Sequence, residues 1–376
     1  MRVVVVETTT GKVVGDLRFS EPPGWGFGLN QAGAWEAAVS LADVDKTYLW
    51  SLLDFWRYSW AVASGNQVLQ CGPAIAASYT DDTSATLRVT GAGIWALFNA
   101  KRLAVNPSWT SATSVTTPAA DINLGPFSLH TIAKQLVVGD LSRPGHSLPI
   151  VTPANITGID TRWYPGYELA PVGQRLQELT QVEQGPEVEF RPEWTDSTQT
   201  AIQWRMRIGN PYLGQLGYPH AFDYGRGLTQ VDVELDGSAL VTAHFTKGEG
   251  TDRAMLYGYA EDVSLVNAGW PALEDADSDH TSASDQNTLN GWATGHLNTY
   301  GSQVQIHAIT MRMDGTDGQG KATGSPTLDL ISAGDNATLN IRGHRLLPDG
   351  QIGVRILGIE AGPDINTAKL TVQEIR

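Results

Sequence analysis

VGQRLQELTQVEQGPEVEFRPEWTDSTQTAIQWRMRI, residues 172–208, is the stretch whose reading decides the fold. Val172, Leu176, Leu179 and Val182 recur at steps of three and four, which places them on one face of a helix. Gly185 and Pro186 end that helix. Val188 and Phe190 then alternate with Glu187, Glu189 and Arg191, the two-residue period of a strand with one buried face. A polar turn at 195–198 leads into a second alternation, with Ile202, Trp204, Met206 and Ile208 on one side and Gln203, Arg205 and Arg207 on the other. The stretch predicts a helix feeding an antiparallel hairpin, because one apolar helix face covers one apolar sheet face.

Upstream of this core the pattern is mostly that of strands. Residues 3–7 and 12–17 bracket Thr10-Gly11 as an opening hairpin, and 25–29 and 33–41 are candidate strands. Asp43 or Asp45 is placed to cap a short helix with Leu49, Leu52, Leu53 and Trp56 on one face. Residues 58–64 and 67–79 flank the tight turn Gly65-Asn66, and 85–90 adds another strand. That spacing of antiparallel strands is expected of a barrel or sandwich. Residues 106–121 read as a linker, and Leu129, Ile132, Ala133 and Leu136 mark a helix capped by Ser128. Downstream, a hairpin is expected around Asp236-Gly237, a helix along Leu289, Ala293, Leu297 and Tyr300, and four strands between 326 and 376.

Composition limits what such a chain does. The formal net charge is −15, which disfavours binding to nucleic acid through phosphate contacts and suits a soluble surface. Cys71 is the single cysteine, so an intrachain disulfide and a four-cysteine zinc site are impossible; a buried, inert thiol in a reducing compartment is expected. The start, MRVVVVETTTG, is too short in apolar residues for a signal-peptide core and reads as a strand. No apolar run approaches the length of a membrane span.

Chemistry-bearing motifs are missing. HExxH, GxSxG and Walker patterns do not occur, and nothing selects one pair among the many carboxylates as a glycosidase pair. Asp275, Asp277 and Asp279 alternate like the first half of a calcium loop, but its sixth position is His280 and its twelfth Gln286. Residues 314–318 read as a glycine-rich turn, and His220 and His244 as hydrogen-bonded structural histidines. No catalytic, cofactor-binding or metal-ligating residue is assigned. Of the tryptophans, Trp25, Trp35, Trp56, Trp60, Trp194 and Trp204 are expected in the core. Trp109, Trp163 and Trp270 lie in Pro/Gly-rich loops, where aromatics anchor interfaces or stack on sugars.

Several stretches together carry a family likeness. They are KVVGDL (12–17), WGFGLNQAGAWEAAVSL (25–41), RVTGAGIWALFNAKRL (88–103), FSLHTIAKQLV (127–137), the helix and strand of 172–194, and LDLISAGDNATLNIRG (328–343). In order and pattern the chain resembles the tail-hub, baseplate-hub-like minor tail proteins of long-tailed actinobacterial bacteriophages. Ala333 stands before Gly334-Asp335 where proline is more typical of that family. The resemblance implies a mainly β fold with inserted α+β elements and two β-barrel-like domains. The division expected is a first barrel from 1–105 plus about 200–266, an inserted α+β region at 106–199, and a second barrel at 267–376 with one helix.

It further implies a homotrimeric ring at the distal end of the tail in the virion, assembled in the host bacterial cytoplasm. Such a ring joins the six-fold tail tube to the three-fold tip, and its partners are a distal tail protein, a tape-measure protein and tail-tip or spike proteins. DNA is in contact only in transit, no enzymatic activity or cofactor is implied, and an acidic lumen suits a conduit that must not hold phosphate. The competing expectations are a receptor- or glycan-binding tail protein using Trp109 or Trp163, and a cell-wall-degrading tail enzyme.

Overall fold

The four consecutive valines at the start of the chain reveal the layering of the molecule. The structure is a computed structural model that describes residues 1–42, 44–81, 85–103, 119–182, 184–215, 217–278, 281, 283–301, 304–317 and 319–375. Within β1 (Arg2–Glu7), Val3, Val4, Val5 and Val6 are all buried. A strand without a polar face must be covered on both sides. Val4 and Val6 belong to a core shared with helices. Val3 and Val5 point the opposite way, because successive side chains of a strand alternate.

Those two valines face into a ring of strands. β2 (Val13–Leu17), β3 (Phe19–Gly28) and β4 (Ala34–Ser40) follow β1, then α1 (Lys46–Ser51), β5 (Tyr58–Ser64), β6 (Gln67–Tyr79) and β7 (Thr86–Ala92). Only Arg18 separates β2 from β3, so the two act as one bent strand. Its first part pairs with β1 (Val3↔Leu17) and its second with β4 (Phe19↔Val39). From β4 the antiparallel pairings pass through β7, β6 and β5 back to β1. The circuit has six members and closes on itself. Trp60, opposite Val5 in the register, stacks on Trp35 with ring centroids 5.9 Å apart. Asp45 caps α1 by accepting from the Tyr48 N–H, but the helix ends at Ser51. Trp56 therefore misses the expected core face: it sits in a turn at φ +67° and is 40% exposed. Asp43 and residues 106–118 of the expected linker lie outside the described residues.

The α+β region comprises α2 (Trp95–Asn99), β8 (Ile122–Phe127), α3 (Leu129–Leu141), β9 (Ile150–Val151), β10 (Asp160–Tyr164), α4 (Val172–Thr180), β11 (Val188–Trp194) and β12 (Ile202–Ile208). Val172, Leu176 and Leu179 are buried on α4, as their spacing requires. β11 and β12 pair without a slip from Val188↔Ile208 to Trp194↔Ile202, and Ile202, Trp204, Met206 and Ile208 are buried. Their apolar face joins α2, α3, α4 and the outer face of the ring in one core. Gly11 ties the ring's first turn to the hairpin, accepting from the Ile202 N–H at 2.8 Å. Its φ is +72°, and an added Cβ would stand 1.8 Å from the Ile202 oxygen, so only glycine fits.

A second ring closes the chain. β13 (His220–Tyr224) and β14 (Gly227–Asp236) precede an insert with β15 (Ala243–Lys247), β16 (Tyr257–Glu261), α5 (Val263–Asn267), β17 (Glu274–Asp277) and α6 (Gln286–Tyr300). After it come β18 (Val304–Arg312), β19 (Asn336–Ile341), β20 (Gly350–Ala361) and β21 (Thr367–Glu374). The neighbour order β19-β13-β14-β18-β21-β20, with β20 pairing back to β19, is again a closed circuit of six. The fold is mainly β with α+β additions.

Asp236-Gly237 leads from β14 into the insert instead of folding β14 back on β15, which pairs with β16 and β17. By contact density one unit is Met1–Gln181, Gly185–Val231 and Ala308–Arg376, and the other is Val182–Gln184 with Asp232–His307. None of the described strands within 200–266 joins the first ring, because the bent strand already closes it.

Candidate functional site

The two rings meet edge to edge. Gly26, Phe27 and Gly28 of β3 pair with Glu360, Ile359 and Gly358 of β20. Beside this seam Glu187 and Glu189 are buried, contrary to the sequence alternation, with Glu189 paired to Arg207 and Glu187 to Arg355. Arg355 grips both oxygens of Glu187 and also donates to the carbonyls of Leu213 (2.8 Å) and Gly334 (3.2 Å). The Leu213 N–H donates back to Glu187 at 2.7 Å. Arg191 adds a 2.5 Å bond to Ser332 Oγ. One face of the hairpin is thus covered by apolar packing, and on the other the Glu187–Arg355 ion pair and the Arg191–Ser332 hydrogen bond reach the C-terminal segment.

A surface cavity of about 660 Å³ lies along the seam, with Trp35, Gln31, Glu36 and Glu360 among its lining residues. Arg88 pairs with Glu36, and Lys369 stands 3.5 Å from Glu360. Burial pushes the Cys71 thiol up, which keeps it protonated and unreactive. The turn at 314–317 is closed by its own bonds. Arg312 is the first cause holding the Asp314 carboxyl down to about 2, and the Thr316 N–H donates to it at 3.0 Å. His220 meets Asp335 at 3.2 Å, as a structural histidine should.

Trp25, Trp35, Trp60 and Trp204 are buried as expected. Trp163 is 58% exposed on β10 beside exposed Ile159, Tyr167 and Leu169. Asp121 fixes it, accepting from Trp163 Nε1 at 3.0 Å and from the Gly166 N–H at 2.9 Å. An aromatic held in place while open to solvent has already lost the freedom that binding would otherwise cost. Trp270 is exposed in the insert. Trp109 lies outside the described residues.

The insert holds a cluster that sequence spacing does not reveal. β15 and β17 run parallel with His244 opposite Asp275, so His244 and Thr246 share a face with Asp275 and Asp277. His244 is fully buried. Its Nε2 lies 2.8 Å from Asp277 Oδ2, while Nδ1 has no hydrogen-bond partner and stands 3.5 Å from Asp275 Oδ2. His296, from α6, brings Nε2 to 3.4 Å from the same oxygen and stacks on His244 with centroids 3.6 Å apart. Burial first, then the neighbouring His244, holds the His296 pKa below the ordinary histidine value. The alternate polar positions on two strands were the available signal. The partners are 31 and 52 residues from His244, and no spacing rule joins them.

Two strand rings joined at one seam, with α+β elements between them, make a mainly β fold that solved phage tail proteins share. Three solved structures share the fold along almost the whole chain. The 43 kDa tail protein of prophage MuSo2 from Shewanella oneidensis matches at 11% identity and TM-score 0.57, covering 100% of this chain and 98% of that one. A tail protein from Neisseria meningitidis MC58 matches at 12% identity and TM-score 0.56, covering 99% and 95%. Prophage tail protein gp18 from Listeria monocytogenes EGD-e matches at 11% identity and TM-score 0.53, covering 99% and 94%. No protein-family model and no curated protein sequence matches the chain. Among the described residues, no helix is long and apolar enough to cross a membrane.

Proposed function

We propose that the chain is a structural hub subunit at the distal end of a phage tail. Three copies form a ring that joins the six-fold tail tube to the three-fold tip and lets DNA pass. One observation carries this reading: each chain contains two closed six-strand rings. A trimer then presents six such blocks, which meets a six-fold neighbour on one face while the true symmetry stays three-fold on the other. The partners are further copies of the chain, a distal tail protein, a tape-measure protein and tail-tip or spike proteins. The place of action is the virion tail, reached after assembly in the host cytoplasm. The work is assembly, not catalysis, and the acidic surface suits a DNA conduit. Imaging intact particles that carry a label on this chain tests the reading. Label on the tail axis at the distal end supports it, and label on peripheral fibres overturns it.

The Trp163 surface favours assembly contact, with glycan recognition as the second reading. Trp163→Ala is expected to change stability of the isolated chain by less than about 1 kcal/mol, since the side chain is largely exposed. It should weaken ring or tail assembly by roughly 30-fold, the effect of losing an aromatic anchor worth about 2 kcal/mol. Sedimentation and in vitro tail assembly measure this. Unchanged assembly with lost binding to isolated cell-wall glycan would favour the receptor-binding reading instead.

A further inference from the structure

We propose that the insert carries a binding site for one divalent transition-metal ion of the zinc type, with His244 Nδ1, Asp275 Oδ2 and His296 Nε2 as its ligands. The proposal is independent of the hub reading and replaces the sequence-based assignment of no metal site. Its first support is a buried nitrogen left without work. His244 is fully buried and its Nδ1 has no hydrogen-bond partner, a cost that a native fold ordinarily avoids. That nitrogen faces Asp275, and its ring is oriented by Asp277 behind it.

The second support is distance. A tetrahedral ion with bonds near 2.1 Å sets its ligand atoms about 3.4 Å apart. Asp275 Oδ2 stands 3.5 Å from His244 Nδ1 and 3.4 Å from His296 Nε2, and all three ligand atoms lie within 4.8 Å of one another. Asp277 completes the arrangement from outside, because a metal-binding histidine commonly gives its other N–H to a carboxylate. Here His244 Nε2 meets Asp277 Oδ2 at 2.8 Å, and Thr246 Oγ1 donates to the same oxygen at 3.3 Å.

The third support is charge. Residues 232–307 hold twelve Asp and Glu against Lys247 and Arg253, a net −10 of the chain's −15. Two imidazoles with one carboxylate select a zinc-like ion, whereas calcium takes six to eight oxygens.

A cavity of about 480 Å³, lined by Asp275 and His296 together with Leu240, Glu274 and Tyr300 among others, adjoins the cluster. With the rings stacked at 15° to one another, their in-plane lone pairs run side by side. His296, on α6 and only partly covered, would turn its ring out of this stack to meet the ion. Bound metal would fasten β15, β17 and α6 together in a unit whose own apolar core is small.

The test is metal titration of the full chain after chelator treatment. Expected are one Co²⁺ per chain with the visible absorption of a four-coordinate ion, its displacement by ZnCl₂, and a rise of a few degrees in melting temperature with Zn²⁺. His296→Ala and Asp275→Asn should each weaken Zn²⁺ binding by roughly 100-fold. They should also abolish the Zn²⁺-dependent rise while melting like the wild type without metal. Sub-stoichiometric Co²⁺ binding, variants that bind as the wild type does, or a preference for CaCl₂ over ZnCl₂ would each overturn the proposal.

Discussion

Trp204→Ala is expected to lower the unfolding free energy by about 5 kcal/mol, the upper end for deleting a buried aromatic. Trp204 is fully buried at the middle of β12, opposite Pro192 of β11. Its Nε1 donates to the Cys71 carbonyl at 3.0 Å, so the side chain binds the hairpin to β6 of the first ring. Alanine leaves a cavity between layers that are each held by their own strand pairing and cannot collapse to fill it. Trp204→Phe keeps most of the apolar volume and loses the hydrogen bond, for an expected loss of about 2 kcal/mol. Urea unfolding reads both as shifts of midpoint at constant slope. A stability loss below 1 kcal/mol for Trp204→Ala would mean that the hairpin does not hold the ring.

Breaking the pair at the seam should be nearly as costly. Glu187→Ala leaves the Arg355 guanidinium largely buried with carbonyl partners only, at an expected cost of about 3 kcal/mol. Arg355→Ala strands the carboxylate and costs about the same. The double variant should lose far less than the sum, because each single change already destroys the bidentate contact. Screening acts weakly on a buried pair, so the loss should persist at high salt. A double-mutant cycle in denaturant measures the coupling. Additive losses would show that Glu187 and Arg355 act separately and that the rings are joined mainly by β3 and β20.

The sequence was legible where structure is local. On α4 the spacing of Val172, Leu176 and Leu179 names the buried face, and on β12 the alternation from Ile202 to Ile208 does the same. Both patterns arise from covering one face of one element. β11 shows where such reading stops. Glu187 and Glu189 alternate like solvent-facing residues, yet both are buried: Arg355 reaches Glu187 from a strand 168 residues away, and Arg207 pairs with Glu189 within the hairpin. The first ring was foreseeable as an antiparallel barrel or sandwich, but the strand that closes it was not. Closure depends on the bend at Arg18, which changes partners without any turn residue to mark it. Trp56 was misplaced because α1 stops one turn early, and positive φ then swings the side chain outward. The insert's histidine cluster was hidden for a related reason. A parallel pairing of β15 with β17 sets His244 beside Asp275, and parallel partners leave no turn signal between them.

The most direct measurement of the central claim is electron cryo-microscopy of the assembled tail end. A three-fold ring with six β-barrel densities around an open axial channel, two from each chain, is the predicted result. Density for this chain as isolated copies away from the axis, or a channel walled mainly by Lys and Arg, would contradict it.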